Sequence, residues 1–375
     1  MHNKIYILGL GVLIVFILTY FLFVYKIPTT NNNINSEEIT YGSCASCSTG
    51  VINIINSLFN SQNAPLKTKN ISFNSKLGVS FVSNFSVTAL PSLILNETSA
   101  STNVIDSLVY LNAFNVGSNY FVLNTPFIAG ISKGVRYFDL IQNRTITAFD
   151  IFNQSYIYKN ANRSVINPSE VLYMVNGTNK AYKNKTEISF VYGNSSFSAV
   201  QSLILYKALK GFGNFTNLST LTSVEVAFSP GKYLGNTEFY ALKSSDYRSN
   251  YFYFESSYLN NLSTSPYIGT LERQLFEFDQ NAAYPLFSNV GNFLPFIDIG
   301  GRYIEVSSMI NPKIFYGKTI NQIDQLVNTN ETIGLAFNDS VHFMQTILCS
   351  YVGYTAYPCN STVIKSDLVN INSLT

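Results

Sequence analysis

A heptapeptide motif that occurs twice constrains the fold more than any other feature of this sequence. Residues 41–47 (YGSCASC) and 192–198 (YGNSSFS) stand in the same register, 151 residues apart. Each motif follows a short β-rich run and precedes a segment whose apolar residues recur at helical spacing. The sequence therefore predicts two copies of a strand–turn–helix unit.

The helical face differs in length between the two copies. In the first copy the predicted face ends at Asn60, and in the second it continues to Gly211, a residue typical of helix C-termini. The apolar positions that define the faces are Val51, Ile54, Ile55 and Leu58 in the first copy and Val200, Leu203 and Ile204 in the second.

Each copy also contains a proline that opens a β-rich run. Pro91 precedes SLIL, and Pro295 precedes FIDI. Proline is tolerated at the start of a strand because it has no amide donor for the middle of a ladder. Between the first motif and Pro91, residues 66–73 read as a strand and residues 76–85 as a short helix. The second copy has a longer interval, with a strand expected at 223–228 and a helix at 269–281.

The order strand, Cys-x-x-Cys, helix, strand, helix, Leu-Pro, strand resembles the thioredoxin fold over about residues 38–96. Residues 85–93 (FSVTALPSL) look much like the cis-proline segment of that fold. The resemblance implies a cis Leu90–Pro91 bond. It also implies that the Leu90 carbonyl and a neighbouring amide face Cys44 and are open to a client strand.

The second half, roughly residues 171–359, is similar to an uncharacterised archaeal family of membrane-anchored, thioredoxin-like proteins from Sulfolobus-like organisms. Members of that family typically carry Cys-Pro-x-Cys at the turn, whereas this chain has Ser195 and Ser198 there. The departure removes redox chemistry from the second copy. The resemblance is carried by residues 211–215 and 294–299, Arg302, Tyr303, and the pair Cys349 and Cys359.

The fold class that we expect is α/β, with two tandem thioredoxin-like domains after one N-terminal transmembrane helix. Each domain would be a mixed sheet flanked by helices. The expected boundaries are a membrane anchor at 1–26, a linker at 27–37, a first domain with the Cys-x-x-Cys at 38–160, and a degenerate second domain with an insertion at 161–375.

The membrane anchor is predicted from the run between Ile5 and Tyr25, which is 21 residues without a charge. As a helix this run would be roughly 31 Å long, about the thickness of one hydrocarbon core. A cleaved signal peptide is the alternative, but it requires a shorter apolar core and a small-residue cleavage site. We therefore expect a single-pass protein of the cell membrane.

Asn-x-Ser/Thr sequons indicate that the rest of the chain lies outside the cytoplasm. The sequence has fifteen, whereas 44 Asn and 70 Ser+Thr in 375 residues predict about eight by chance. Richness in these residues could also be a compositional habit of the genome. The acceptor candidates are Asn70, Asn84, Asn96, Asn143, Asn153, Asn162, Asn176, Asn184, Asn194, Asn214, Asn217, Asn261, Asn330, Asn338 and Asn360.

Composition excludes some classes of function. Charged residues make up only 12%, and the net charge is +2, so the chain lacks the basic stripe that nucleic-acid binding requires. The only histidines are His2 and His342, which argues against histidine-rich metal centres. We expect no metal site, no cofactor and no nucleic-acid partner.

Cys44 and Cys47 carry the predicted chemistry. Cys44 would lie at a helix N-terminus, where backbone amides and the helix dipole favour a thiolate. Cys47, one turn later, would resolve mixed disulfides. With Pro91 they form the expected catalytic site. A static disulfide and half of a zinc site are the alternatives, and a zinc site would need a second ligand pair.

The other candidate residues have structural interpretations. Cys349 and Cys359 are predicted to form a loop-closing disulfide. Ser195 is expected to cap a helix, although Ser195, Ser198 and Pro295 together could form a pseudo-active site that binds an extended peptide.

These patterns predict an extracytoplasmic thiol-disulfide oxidoreductase or isomerase whose second domain holds clients without redox chemistry. Its partners would be cysteine-containing client proteins and a redox partner. A non-catalytic cell-surface interaction protein with two structural disulfides is the alternative.

Overall fold

A computed structural model describes most of the chain after the predicted anchor and linker. The chain divides into two compact units, residues 1–148 and 149–375, and the expectation of an α/β protein is confirmed. The described residues are 34–40, 47, 50–61, 64–96, 105–106, 108–109, 113–132, 135–149, 165–167, 171–176, 180–224, 236–258 and 295–372.

The first unit is built on a five-stranded sheet in the order β2-β1-β4-β6-β5. β1 is parallel to β2 and antiparallel to β4, and the remaining neighbours are antiparallel. β1 begins at Ile34, inside the segment that the sequence assigns to the linker. The strands are β1 (Ile34–Thr40), β2 (Leu66–Ser72), β4 (Ser92–Asn96), β5 (Phe114–Val116) and β6 (Tyr120–Leu123).

Three helices of this unit are bounded by described residues, and the two predicted ones form where expected. Residues 105–106 and 108–109 are also helical. α1 buries Val51, Ile55 and Leu58, which recur at the spacing of one helical face. Ser75 caps α2, because its side chain accepts a hydrogen bond from the amide of Gly78 at 3.0 Å. The helices are α1 (Gly50–Ser61), α2 (Lys76–Asn84) and α3 (Thr125–Ser132).

A hairpin that the sequence did not predict follows α3. Its two strands are antiparallel over five residue pairs, and the first of them also pairs with a two-residue strand just before Pro91. The three strands are β3 (Ala89–Leu90), β7 (Val135–Asp139) and β8 (Arg144–Phe149).

The second unit contains a mixed sheet centred on its longest strand, β11. β16 runs parallel to β11 on one side, and β17 runs antiparallel on the other, followed by β18 and β9. The strands are β9 (Val171–Val175), β10 (Ala181–Tyr182), β11 (Lys185–Tyr192), β16 (Phe252–Tyr258), β17 (Phe296–Ile299) and β18 (Tyr303–Val306).

Among the described residues of this unit, four α-helices and two short ladders complete the fold. β12 pairs with β15, and β13 pairs with β14. One continuous core joins the sheet to α4 and α6, which contribute many of its buried aliphatic residues. The elements are α4 (Ser196–Leu209), β12 (Gly213–Phe215), β13 (Ser219–Thr222), β14 (Glu238–Ala241), β15 (Tyr247–Ser249), α5 (Ile320–Thr329), α6 (Glu331–Val352) and α7 (Thr362–Asn372).

Two local predictions for the second unit concern residues near α4 and β13. Of the strand expected at 223–228, residues 223 and 224 lie just after β13, which ends at Thr222, and residues 225–228 lie outside the described residues. The predicted helix end at Gly211 is confirmed, since α4 ends at Leu209, Lys210 is its cap and Gly211 follows directly. A side chain at Gly211 would place its Cβ 2.5 Å from Cγ of Pro358, so close packing explains this glycine.

The membrane anchor expected between Ile5 and Tyr25 and the helix expected at 269–281 lie outside the described residues. None of the helices that the structure describes is long and apolar enough to cross a bilayer.

Candidate active site

The first cysteine motif begins where β1 ends. The carbonyl of Thr40, the last residue of β1, accepts a hydrogen bond from the amide of Phe73 at 2.8 Å. Cys44 lies outside the described residues. Cys47 is disulfide-bonded, and only 2% of its surface is exposed.

Pro91 lies beside the strand end that leads into this motif. Ile39 of β1 pairs with Ser92 of β4, so the same register places Pro91 next to Thr40. The Leu90–Pro91 peptide bond is cis. The carbonyl of Pro91 accepts a hydrogen bond from Oγ1 of Thr125 at 2.5 Å, which ties this segment to the first residue of α3.

The backbone edge before Pro91 is not open, so the prediction that Leu90 faces an incoming client strand is wrong. Leu90 pairs with Phe138 of β7, and Ala89 pairs with Asp139. The amide of Leu140 extends the contact by donating to the carbonyl of Thr88 at 2.9 Å. A strand of the chain itself therefore occupies the edge that the resemblance assigns to a client.

β7 also approaches the start of α1. A Cβ atom at Gly50, three residues after Cys47, would lie 3.2 Å from both methyl carbons of Val135. At the other end of β7, Asp139 is buried, and its Oδ1 accepts a hydrogen bond from the amide of Gln142 at 2.8 Å. Burial raises the pKa of Asp139, and hydrogen bonds from the amides of Gln142 and Ile141 act in the opposite direction.

Glu38 is a titratable residue on β1 that the sequence analysis did not single out. It stands two residues before the end of the strand and six before Cys44. Partial burial raises the pKa of its carboxyl group. A carboxyl group with a raised pKa can exchange protons at a pH closer to neutrality than an ordinary glutamate. The sequence feature that could have drawn attention to Glu38 was its position in the predicted strand that leads into the cysteine motif.

In the second unit, Ser195 caps α4, as predicted. Its Oγ accepts a hydrogen bond from the amide of Ser198 at 3.2 Å and lies 3.1 Å from Oγ of Ser198. Oγ of Ser198 in turn accepts a hydrogen bond from the amide of Gly193 at 3.1 Å. Ser198 is fully buried, and its counterpart Cys47 in the first motif is almost fully buried. The last residue of each heptapeptide therefore faces inward.

The proline of the second unit does not occupy the same register position as Pro91. Phe296 pairs with Val191, which places Pro295 next to Tyr192. Tyr192 is the counterpart of Tyr41, whereas Pro91 lies next to Thr40, one residue earlier. The two sites therefore differ by a shift of one residue, which matters because strand side chains alternate between faces.

The predicted bond between Cys349 and Cys359 is present, with a Cα–Cα distance of 5.5 Å. Both cysteines are fully buried. The bond joins the end of α6 to a short 3-10 helix, Tyr357–Asn360.

A buried pair of polar residues, Gln201 of α4 and Glu305 of β18, was missed by the sequence analysis. Nε2 of Gln201 donates a hydrogen bond to Oε1 of Glu305 at 2.8 Å, and Oε1 of Gln201 accepts one from the amide of Met309 at 3.1 Å. Gln201 and Glu305 are both almost fully buried. No pattern in the sequence indicated this pair, because a single charged residue in a short apolar strand is typical of a solvent-facing hairpin, whereas every residue of β18 is buried.

The sequon asparagines share one structural property. Twelve of the fifteen belong to the described residues, and all twelve are exposed. In contrast, Asn124 and Asn167, which lie in no sequon, are buried. Asn153, Asn162 and Asn261 lie outside the described residues. The exposed twelve are Asn70, Asn84, Asn96, Asn143, Asn176, Asn184, Asn194, Asn214, Asn217, Asn330, Asn338 and Asn360.

Among the residues that the structure describes, no group of three or more His, Cys, Asp or Glu side chains is arranged to hold a metal ion.

Comparison with known proteins adds no relative, since no family model, no curated protein and no solved structure matches the chain.

Proposed function

We propose that this protein is a membrane-anchored, extracytoplasmic thiol-disulfide oxidoreductase or isomerase that acts through Cys44 and Cys47. One observation carries the proposal: the pairing of Ile39 with Ser92 places Pro91 beside the strand end that leads into the Cys-x-x-Cys motif. Cys47 is already disulfide-bonded in this setting.

The order of strands supports two tandem thioredoxin-like domains. In the first unit, a central strand (β1) is parallel to β2 and antiparallel to β4, and β4 is antiparallel to β6. In the second unit, β11 has the same relations to β16 and β17, and β17 to β18. In both units the helix that begins at the motif follows the central strand directly along the chain.

Exposure of the sequons supports the extracytoplasmic location. An asparagine accepts a glycan only where its amide is accessible, and all twelve described acceptors meet this condition. Disulfides also persist in oxidising compartments rather than in the cytosol. The run between Ile5 and Tyr25 would hold the protein at the membrane.

The reaction is a two-step exchange of bonds between sulfur atoms. A client thiolate attacks Sγ of Cys44, the Cys44–Cys47 bond breaks, and its electron pair leaves on Cys47, which takes up a proton. A second client thiolate then attacks the client sulfur of the mixed disulfide and releases the Cys44 thiolate. Two electrons pass from the client to the protein. Of the two protons lost as the client thiols ionise, one ends on Cys47 and the other goes to solvent, because Cys44 leaves as a thiolate. The reverse sequence reduces a client disulfide.

The second unit would hold clients without exchanging disulfides. Hydroxyl groups replace both sulfurs at Ser195 and Ser198, and the hydrogen bond between them stabilises the turn instead. A serine hydroxyl cannot form or break a disulfide.

A redox titration in glutathione buffers tests the proposal, with the Cys349–Cys359 bond as an internal control. We expect the Cys44–Cys47 pair to titrate between about −270 and −120 mV, the range of thioredoxin-type proteins, while the control bond stays oxidised. Replacing Cys47 with Ala should trap clients as mixed disulfides on Cys44. If Cys44 forms no mixed disulfide with any client in this variant, the proposal fails.

The structure also favours a second candidate, a non-catalytic surface protein in which both disulfides are structural. The observations behind it are the 2% exposure of Cys47 and the pairing of Leu90 with Phe138. This candidate predicts a Cys44–Cys47 potential below about −300 mV. The same titration therefore separates the two functions.

A further inference from the structure

The hairpin formed by β7 and β8 lies across the candidate active site of the first unit. Val135, at the start of β7, contacts the first turn of α1 at Gly50. Phe138 and Asp139, at its end, pair with the residues immediately before Pro91. β7 therefore spans the two structural features that a thiol-disulfide site needs, the helix that begins near Cys47 and the strand before the proline.

The attachment of the hairpin to β3 is much shorter than the pairing within the hairpin. β7 and β8 pair over five residues, from Val135 with Ala148 to Asp139 with Arg144. β3 contributes only Ala89 and Leu90, supplemented by the hydrogen bond from Leu140 to Thr88. Since few bonds hold β7 to β3, this contact can open while the hairpin stays folded.

Burial at the site is consistent with coverage by the hairpin. Cys47 is 2% exposed, and Leu90 is fully buried. Phe138 packs in a small cluster with Ile39, Val87 and Leu90, so its ring holds β7 against the end of β1. Thiolate attack on a disulfide requires access along the sulfur–sulfur axis, which burial of this kind restricts.

We propose that the β7–β8 hairpin is an autoinhibitory strap. It occupies, as an antiparallel strand, the backbone edge that a client needs, and the Cys47 disulfide exchanges rapidly only while β7 is separated from β3. The inference rests on the proposed function. It also identifies the class of client: an extended segment with a large apolar residue that replaces Phe138 against Leu90, because strand addition takes its affinity from the main chain and its specificity from such contacts.

The test measures how fast glutathione reduces the Cys47 disulfide in the full-length protein in detergent. Leu140→Pro removes the donor of the bond to Thr88, and Phe138→Ala removes the ring that holds β7. Leu140→Pro should accelerate reduction and reoxidation by roughly fivefold to tenfold, the effect of losing about one hydrogen bond. Phe138→Ala should accelerate both by at least as much, because it removes a buried ring from the contact. Neither change should alter the redox potential. Arg136→Ala is the matched control, because Arg136 lies on the same strand but reaches Thr147 of β8.

Hydrogen exchange on the unmodified protein provides a second test that does not depend on folding of the variants. The amide of Leu140 should exchange at least about tenfold faster than that of Phe73, which bonds to Thr40 within the central sheet. Equal protection of the two amides would overturn the strap proposal. An unchanged rate of disulfide reduction in a folded Leu140→Pro protein would overturn it as well. A disulfide that exchanges equally fast with and without these changes refutes the strap alone. One that never exchanges, even in the loosened variants, refutes the proposed function itself.

Discussion

Oγ of Ser195 lies 3.1 Å from Oγ of Ser198, at the first turn of α4. The two hydroxyl groups hold the positions that sulfur atoms occupy in a Cys-x-x-Cys turn. The turn therefore brings two side chains three residues apart into the contact that a dithiol site requires, with hydroxyl groups in place of thiols. A bond of about 2.05 Å could replace this contact after a small adjustment.

The double substitution Ser195→Cys/Ser198→Cys should therefore create a third disulfide. We expect intact-protein mass spectrometry to show a mass lower by two hydrogen atoms after air oxidation, and the bond to be reducible. The matched control is Ser196→Cys/Ser198→Cys, because residues two apart on a helix do not face each other. Recovery of the first variant as a free dithiol would show that the turn is not preorganised for a disulfide.

Removal of the helix cap at Ser195 should destabilise the second unit. Ser195→Ala deletes the acceptor for the amide of Ser198, and loss of such a cap costs about 0.5–2 kcal/mol. Urea unfolding, monitored by circular dichroism, measures the loss. Ser195→Thr retains a hydroxyl acceptor and should recover most of the stability. If Ser195→Thr lowers the free energy of unfolding as much as Ser195→Ala does, the loss does not come from the cap.

Loss of the Cys349–Cys359 bond should lower stability without affecting redox activity. The two cysteines are ten positions apart, and closing a loop of that length in the unfolded chain is worth about 2–3 kcal/mol. We expect Cys349→Ala/Cys359→Ala to lower the free energy of unfolding by that amount. Its reduction rate at Cys47 should equal that of the parent protein, and a slower rate would contradict a purely structural bond.

Asp139→Asn should stabilise the first unit at neutral pH. Burial raises the folded-state pKa of Asp139 above its unfolded value, so folding favours the protonated form. The stability that this carboxyl group provides is fully present below its unfolded pKa of about 3.9 and is lost as the pH rises through its folded pKa. Asn keeps the acceptor for the amide of Gln142 and carries no charge to bury.

The measurement is the difference in free energy of unfolding between Asp139→Asn and the parent protein from pH 3 to pH 8. The variant should be more stable at pH 7, and its advantage should shrink towards pH 3. Asp324→Asn is the control, since Asp324 is half-buried at the surface and forms an ion pair with Lys207, a type worth at most about 1 kcal/mol. A pH-independent difference at Asp139 would rule out titration as its cause.

Local elements were the most predictable part of the fold. Ser195 caps a helix as predicted, and Lys76 begins the short helix expected after β2. Such signals depend on neighbours within four residues, which is why they can be read from sequence. The helix end at Gly211 was predictable for the same reason, but its close contact with Pro358 was not, because Pro358 is nearly 150 positions away.

By itself, the sequence determined the two strand–turn–helix motifs, the pairing of Cys349 with Cys359 and the serines that replace cysteines in the second motif, because these depend on residue identity and short-range spacing. Only the tertiary structure decided that Leu90 is covered by Phe138, that Pro295 is shifted by one residue relative to Pro91, and that Glu305 is buried against Gln201. Each of these depends on which strands become neighbours in a sheet and in what register. That choice is governed by packing between segments distant in the chain, which no local pattern encodes.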